Sequence, residues 1–255
     1  MSNTLLKFLP FNLRLKIRQK LVSILGETVS DGWENYAKNF EGKPGKFLGD
    51  EWNEPELIGF DGAPNAIVPT LDRKVFQPYL GKCQVILEIG PGGGRFTKVL
   101  FPKCQRVIAA DTSPTMLSLL QSRYETETSL KCVQLDGQGL GPIEDKSIDA
   151  AFSFDVFVHL EQWDIFNYLC ELKRVLKPGG KAIIHHGNSL SRLGWRRFVA
   201  ETRQQLNTPK IWGTFSFMSP NVFKELSERA GLHHINCITD IVRRDGISLL
   251  QSPAS

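Results

Sequence analysis

Short apolar runs rich in β-branched residues recur along the chain from residue 85 onward and alternate with longer segments of mixed polarity. Runs of this length are typical of buried parallel strands, and the segments between them are long enough to form helices. The apolar runs lie at 85–89, 106–111, 130–135, 148–154 and 181–186. Because a βαβ unit takes about 30 residues, this spacing predicts an α/β domain with a doubly wound, mostly parallel sheet.

Two further apolar runs, at 235–242 and 247–251, differ from the others because only a few residues separate them. Between them stands Asp245-Gly246, a dipeptide typical of tight turns that join antiparallel strands. The pattern therefore predicts a C-terminal antiparallel hairpin with its turn at these two residues. A helix start is indicated just before this region at Ser219-Pro220, where a hydroxyl residue precedes a proline.

The first apolar run ends beside an acidic residue and then breaks into glycines, with the spacing Gly90-x-Gly92-x-Gly94 after Glu88. Glycines allow the backbone to turn sharply here and to approach a ligand closely. The dinucleotide-binding pattern requires a further glycine where Arg95 stands, so the phosphate-binding version of the loop is not met. An acidic residue beside the loop suits a cofactor that carries a cation, and we therefore expect S-adenosyl-L-methionine.

The ends of the following strands supply the other expected cofactor contacts. Asp111 ends the second run, where a carboxylate faces the ribose of a nucleotide in a doubly wound sheet. The residues after the third run are expected at the adenine edge. The full expected set is Glu88, Gly90, Gly92, Gly94, Asp111, Thr112, Met116, Asp136, Gly137 and Asp155.

Five motifs in this order resemble those of the class I S-adenosylmethionine-dependent methyltransferases, over about residues 75–251. The motifs are Leu87-Glu-Ile-Gly-Pro-Gly-Gly-Gly, Asp111-Thr-Ser-Pro-Thr-Met, Leu135-Asp-Gly, Ser153-Phe-Asp-Val-Phe-Val-His and Leu172-Lys-Arg-Val-Leu-Lys-Pro-Gly-Gly. The resemblance implies a Rossmann-like, seven-stranded sheet with one antiparallel strand. It also implies methyl transfer, and within the family the chain resembles bacterial small-molecule and sugar O-methyltransferases.

The resemblance also suggests how the chain is divided. Residues 1–74 are expected to form a basic amphipathic helix and a helical lid, and residues 75–255 the methyltransferase domain. Within the lid, Tyr36 and Trp52 are candidates to contact the methionine moiety or the substrate. Packing of these aromatic side chains onto the domain is an equally good interpretation.

An insertion at about 187–232 follows the fifth strand, where this fold would build its acceptor pocket. Trp195, Arg196 and Trp212 are the candidate acceptor-binding residues in it. Aromatic rings stack on sugars and similar compounds, while cations orient polar groups. The same residues are also compatible with core anchors and a solvated helix face.

Histidines near the ends of the fourth and fifth strands are candidates for a general base. Because side chains alternate along a strand, His185 and His186 point to opposite faces, so at most one of them faces the substrate. We favour His186, which we expect at the pocket rim, and place His159 second because it could merely brace the site. Asp155, His159 and His186 could instead hold a divalent cation. Magnesium requires several carboxylates, and few are found among these residues, so no metal is expected.

The residues after the fourth strand indicate the acceptor atom. Methyltransferases that modify nucleobase amino groups carry an Asn/Asp-Pro-Pro-Tyr signature there, whereas this chain reads Asp155-Val-Phe-Val. We therefore predict an O-methyltransferase that acts on a small hydroxylated acceptor, either a saccharide or a secondary metabolite. The alternatives are N- or C-methylation of a metabolite or lipid head group, and a non-catalytic regulator that binds S-adenosylmethionine.

Composition places bounds on these interpretations. The 255 residues and 41% hydrophobic content suffice for one α/β domain with modest additions. The five cysteines show no pairing pattern, which favours reduced thiols in a cytoplasmic protein.

The formal net charge of +4 comes from one segment, because residues 1–26 carry five cations and no acidic residue. Apolar residues recur in this segment at helical spacing, at Leu13, Ile17, Leu21 and Ile24. The pattern is that of an interfacial helix in peripheral contact with a membrane, although a helix that packs over the cofactor or dimerises is favoured over it. The rest of the chain is nearly neutral, so no nucleic-acid partner is expected.

Overall fold

A seven-stranded sheet with the strand order β3-β2-β1-β4-β5-β7-β6 forms the centre of the molecule. The computed structural model of the chain describes residues 29–41, 66–205 and 213–254. The strands are β1 (Val85–Ile89), β2 (Arg106–Asp111), β3 (Leu130–Gln134), β4 (Ile148–Ser153), β5 (Leu176–Gly187), β6 (His233–Ile238) and β7 (Asp245–Gln251). Strand β7 is antiparallel to both of its neighbours, and the other pairs are parallel. The predicted fold class, with its C-terminal antiparallel pair, is confirmed.

The helices of the described residues are α1 (Val29–Ala37), α2 (Ile67–Leu71), α3 (Gln77–Tyr79), α4 (Thr97–Leu100), α5 (Pro114–Arg123), α6 (Gln162–Val175), α7 (Arg192–Gln205) and α8 (Pro220–Arg229). Two helix starts are explained by local chemistry. Ser113 caps α5 by accepting a hydrogen bond from the Met116 N–H, and Ser219 caps α8 by accepting one from the Val222 N–H. In both helices a proline occupies the first turn, where its missing N–H costs nothing.

Apolar side chains fill both faces of the sheet, as expected for central parallel strands. Neighbouring residues of β1 show the alternation: Ile86 joins a cluster with residues of α2 and α4, whereas Leu87 joins a cluster with residues of α6 and α8. Both side chains are fully buried. The sheet therefore lies between two helical layers, and ligands can reach it only at its edges.

The C-terminal hairpin is present, but the position predicted for its turn is wrong. Asp245 and Gly246 belong to β7, and the turn lies earlier, where the Asp245 N–H donates to the Val242 carbonyl. Gly246 pairs with His186 on β5, and a Cβ at Gly246 would lie 2.9 Å from the His186 ring. The glycine is therefore required by close packing between strands and not by a turn conformation.

Several sequence-based expectations fall outside the described residues, namely the basic helix at 1–26 and the aromatic residues Trp52 and Trp212. The expected domain boundary after residue 74 lies inside a π-helical segment, Asp72–Phe76, that joins α2 to α3. Within the described ranges, no helix is long and apolar enough to cross a membrane.

Candidate active site

A cavity of about 380 Å³ opens at the carboxyl ends of β1, β2 and β4, where parallel sheets of this type bind ligands. The glycine loop after β1 forms one wall. Gly90 has φ +66°, and a Cβ there would lie 2.3 Å from Val156 Cγ2 in the loop after β4. A side chain at this position would therefore force the two loops apart.

Glu88 is buried at the end of β1 and lines the cavity. The Thr97 hydroxyl donates to Glu88 Oε2 at 2.6 Å. Burial raises the pKa of Glu88 from 4.5 to about 7, although the Thr97 hydrogen bond acts in the opposite direction. The site thus holds a carboxyl group near its titration point at neutral pH.

Asp111 ends β2 and faces the same cavity. Burial raises its pKa to about 6, although hydrogen bonds from backbone N–H groups act in the opposite direction. One of them is the Ser113 N–H, which donates to Asp111 Oδ1 at 2.9 Å. The Asp111 carboxylate, which is held in a fixed orientation at this strand end, is suited to accepting hydrogen bonds from two vicinal hydroxyl groups.

Asp136 and Gly137 line the cavity after β3, together with Thr112 and Met116 from the start of α5. The Gln138 N–H donates to Asp136 Oδ1 at 2.8 Å, which fixes the carboxylate. Met116 and this loop line the same cavity, where the nucleobase of the cofactor is expected. All of the expected cofactor residues except Gly94 line the cavity.

Asp155 comes after β4 and has φ +64°, an uncommon conformation for a residue with a side chain. Its N–H donates to His185 Nδ1 at 3.1 Å. Its Oδ1 is buried and accepts no hydrogen bond, although the Arg244 guanidinium lies 3.9 Å from it as an ion-pair partner. A strained residue with an unsatisfied carboxylate oxygen at a cavity is a typical functional position.

A buried charged group lies behind Asp155. His185 Nε2 lies 3.2 Å from Asp245 Oδ2, and the Arg244 guanidinium lies 2.7 Å from the same oxygen. Burial alone would raise the pKa of Asp245, but His185 and Arg244 outweigh it and lower that pKa. The ionised aspartate thereby holds the His185 ring in place, and the ring in turn fixes the backbone of Asp155.

His159 lines the cavity four residues beyond Asp155. Its Nδ1 lies 3.4 Å from the Thr214 carbonyl oxygen, which can only accept, so Nδ1 carries the proton and Nε2 carries a lone pair. Burial lowers the pKa of His159, although Asp155 acts in the opposite direction. The imidazole is therefore neutral at neutral pH and can accept a proton.

Helix α1 covers this end of the cavity. Trp33 lines the cavity, and its ring centroid lies 5.2 Å from that of His159. The next residue, Glu34, accepts hydrogen bonds from the Ser113 hydroxyl at 2.5 Å and the Thr115 hydroxyl at 2.7 Å. A carboxylate at the N-terminus of α5 is stabilised by the helix dipole, so this contact anchors α1 on the domain.

The expectation that His186 lies at the pocket rim is wrong. His186 is completely buried on the opposite face of β5, where its ring stacks on Phe223 of α8 at 3.9 Å. Its two ring nitrogens contact the Gly187 carbonyl at 2.9 Å and the Ser248 hydroxyl at 2.8 Å. It cannot reach an acceptor from there, and it cannot share a metal ion with Asp155 and His159.

The candidate acceptor-binding residues are placed differently from the cofactor residues. Tyr36 packs beside Met116 on the outer side of the cavity wall. Trp195 and Arg196 of α7 are exposed on the surface and do not line the cavity. Trp52 and Trp212 lie outside the described residues. The described ranges contain no group of His, Cys, Asp and Glu side chains suited to holding a metal ion.

Sequence reasoning missed several cavity residues. They are Trp33, Arg95, Phe96, Phe154, Asp164 and Tyr168. Asp164 and Tyr168 stand four residues apart in α6, so they share one helix face, and this spacing was a usable signal. The Arg95 guanidinium lies over the Phe96 ring at 4.8 Å and over the Phe154 ring at 5.7 Å. It supplies a positive charge to a cavity whose other charged groups include the carboxylates of Glu88, Asp111 and Asp155.

Comparison with known proteins agrees with this geometry. Residues 87–184 match the protein family described as "Methyltransferase domain". The chain is similar to a demethylmenaquinone methyltransferase of Tropheryma whipplei, with 31% identity over 39% of this chain and 40% of the relative. It is also similar to an uncharacterized methyltransferase of Mycobacterium tuberculosis, with 30% identity over 46% of this chain and 45% of the relative. The chain thus spans less than half the length of these curated relatives.

Longer matches exist at lower identity. An uncharacterized methyltransferase of Geobacillus kaustophilus is 29% identical over 61% of this chain and 73% of its own length. Among solved structures, a chain from the complex between the Haloferax volcanii Trm112 methyltransferase activator and a methyltransferase superimposes with a TM-score of 0.63. That match has 17% identity and covers 89% of this chain and 98% of the other. An S-adenosylmethionine-dependent methyltransferase from Aquifex aeolicus gives a TM-score of 0.57 at 17% identity, over 79% and 95% of the two chains.

Proposed function

We propose that this chain, whose residues 87–184 belong to the methyltransferase domain family, transfers a methyl group from S-adenosyl-L-methionine to a hydroxyl oxygen of a small acceptor, either a saccharide or a secondary metabolite. The observation that carries the proposal is a cavity that is lined both by the carboxylates expected to bind the cofactor and by a neutral histidine. When bound, S-adenosylmethionine supplies a methyl group that is already activated on a sulfonium. The chain therefore has to bind the cofactor, orient the acceptor and accept the proton of the acceptor hydroxyl.

The charges lining the cavity fit this cofactor. Asp111 is suited to accept hydrogen bonds from both ribose hydroxyls, and Asp136, which lines the same cavity, is expected on the adenine side. The unsatisfied Asp155 oxygen is suited to a cationic or N–H donor group. Arg95 is suited to the carboxylate of the methionine moiety, because guanidinium and carboxylate groups pair with two parallel hydrogen bonds.

We expect the acceptor beside Asp155, between Trp33 of α1 and His159, because all three residues line the cavity. With the proton on Nδ1 and directed at Thr214, the His159 Nε2 lone pair is free to take the proton of an acceptor hydroxyl as the oxygen–methyl bond forms. Trp33 is expected to limit the access of water to the acceptor, which favours methyl transfer over side reactions with water.

The direct test is methyl transfer from isotopically labelled S-adenosylmethionine to a panel of sugars, phenols and hydroxylated metabolites. His159→Asn preserves an N–H that can donate to the Thr214 carbonyl but lacks the basic nitrogen. We expect it to bind the cofactor normally and to react about 10²–10⁴-fold more slowly, the usual contribution of a positioned base. His233→Asn is the matched control, because His233 is exposed at the start of β6.

The pH dependence gives a second readout of the same step. Burial lowers the pKa of His159 below 6.5, so the contribution of this base to the wild-type rate should fall as the pH drops through that lower value. The raised pKa values of Glu88 and Asp111, about 7 and about 6, add their own pH dependence to both proteins. His159→Asn should lose this inflection. A His159→Asn rate within a few-fold of wild type would show that positioning alone suffices or that another group is the base.

Transfer to carbon is the second candidate, and the relative named demethylmenaquinone methyltransferase favours it. Deprotonation of a phenolic hydroxyl by His159 would activate the adjacent ring carbon as well as the oxygen. Mass spectrometry and NMR of the product distinguish an O-methyl from a C-methyl group. Tight cofactor binding without transfer to any acceptor would instead indicate a regulator.

A further inference from the structure

An exposed aromatic surface runs along the outer face of α7 and the segment beside it. Leu190 is 64% exposed, Trp195 50% and Phe217 37%, which is unusual for side chains of this size. The Phe198 ring joins the two aromatic residues, with centroid distances of 5.4 Å to Trp195 and 5.1 Å to Phe217. Trp195, Phe198 and Phe217 therefore form one continuous surface, and Leu190 precedes α7 by two residues.

The charged residues of α7 are mainly cations. Helix α7 contains four arginines and a single glutamate. That glutamate, Glu201, is buried and accepts hydrogen bonds from Arg197 and from the Phe215 N–H, both at 2.7 Å. Arg192 and Arg196 are exposed beside Trp195, since positions three and four apart share a helix face. Arg192 and Arg196 thus lie exposed beside Trp195, while the one carboxylate that α7 itself contributes is buried against Arg197 and Phe215.

The position of the surface connects it to the cavity. The Ser216 N–H donates to the Val158 carbonyl at 2.9 Å, and the Gln162 side chain donates to the Phe217 carbonyl at 3.3 Å. Segment 213–218 therefore packs directly on the loop that carries His159. The aromatic surface is the outside of the wall whose inside lines the cavity.

We propose that Leu190, Trp195 and Phe217, with Arg192 and Arg196, dock the protein on an anionic lipid bilayer. Tryptophan side chains favour the boundary between lipid and water, and arginines are attracted to anionic head groups. The cationic segment at residues 1–26 has the same charge preference. Docking through α7 would hold the carboxyl edge of the sheet, and with it the cavity, against the bilayer. The proposal does not depend on methyl transfer.

The experiment is flotation of the full chain with vesicles of phosphatidylcholine alone and of equal parts phosphatidylcholine and phosphatidylglycerol, at low and high salt. We expect binding to the anionic vesicles that weakens with salt. In the full-length chain, the combined substitution Arg192→Gln, Trp195→Gln and Arg196→Gln should reduce the partition coefficient by about 30-fold or more, because each arginine near the surface contributes roughly fivefold.

The matched control is Lys98→Gln, Lys131→Gln and Ile235→Gln, which removes two exposed cations and one exposed apolar side chain elsewhere. It should bind nearly as well as wild type. Quenching by brominated lipids should also decrease in Trp195→Phe, which reports insertion even if the triple variant folds poorly. Absence of wild-type binding to anionic vesicles, or equal binding by wild type and the α7 variant, would overturn the proposal. So would a change in oligomeric state of the α7 variant with unaltered vesicle binding, which would identify a second copy as the occupant.

Discussion

Replacing Glu88 by glutamine tests the electrostatics of the cavity in the absence of any ligand. Glu88 is fully buried, and burial raises its pKa from 4.5 to about 7. The neutral form of the carboxyl is therefore favoured by folding, and the ionised form is penalised. Glutamine has nearly the same shape, stays neutral at all pH values, and can still accept the hydrogen bond from the Thr97 hydroxyl.

The sign and size of the effect are set by proton linkage. Because the folded pKa is higher than the unfolded one, proton binding stabilises the wild type at low pH, and that stabilisation is lost as the pH rises through about 7. Between pH 5 and pH 8 the loss is about 2–3 kcal/mol for this residue. Glu88→Gln should therefore gain this amount relative to wild type over the same interval.

The assay is urea unfolding of the ligand-free proteins at pH 5 and pH 8, followed by circular dichroism. A difference of 2–3 kcal/mol corresponds to a midpoint change of about 1 M urea for a typical slope. Glu125→Gln is the control, since Glu125 is exposed after α5 and its replacement should produce no comparable pH dependence. A Glu88→Gln difference that is the same at both pH values, or that grows toward low pH, would refute the reasoning.

Two further predictions concern cofactor binding and the loop that supports it. Asp111→Asn should weaken S-adenosylmethionine binding by about 1–3 kcal/mol in calorimetry through lost charge-assisted hydrogen bonds, and NAD binding tighter than S-adenosylmethionine in the wild type would contradict the cofactor assignment. Gly90→Ala should lower the melting temperature, because the new Cβ would lie 2.3 Å from Val156 at a positive φ. Adding Val156→Ala should restore part of the loss, whereas an unchanged melting temperature for Gly90→Ala alone would show that the loops separate freely.

Local patterns sufficed for much of the fold. Strand β2 was predicted with the bounds that it has, because a continuous apolar run there ends at a single carboxylate, Asp111. Helix caps at Ser113 and Ser219 also follow from the sequence, because in both cases a hydroxyl residue precedes a proline and can accept from the first free N–H groups of a helix. Each of these features depends on interactions within a few residues.

The errors arose where distant contacts decide the outcome. The alternation of side chains along β5 predicts that His185 and His186 lie on opposite faces of the sheet, but it does not predict which of them faces the cavity. That choice depends on Phe223 packing against His186 and on Asp245 pairing with His185, and both partners lie far away in the sequence. The same pairing explains why Asp245-Gly246 does not form a turn, because a buried strand position holds the carboxylate against the histidine.

The loop that carries His159 shows how these distant contacts serve the site. At one end of the loop, Val156 approaches Gly90 so closely that no side chain fits at position 90. At the other, the Asp155 N–H is held by His185, whose ring is fixed by the ionised Asp245. A turn in which the His159 N–H donates to the Val156 carbonyl at 2.9 Å then brings the imidazole back over the cavity. The proposed base is thus positioned by β1, β5 and β7 together, so its geometry depends on the integrity of the sheet and not on the loop alone.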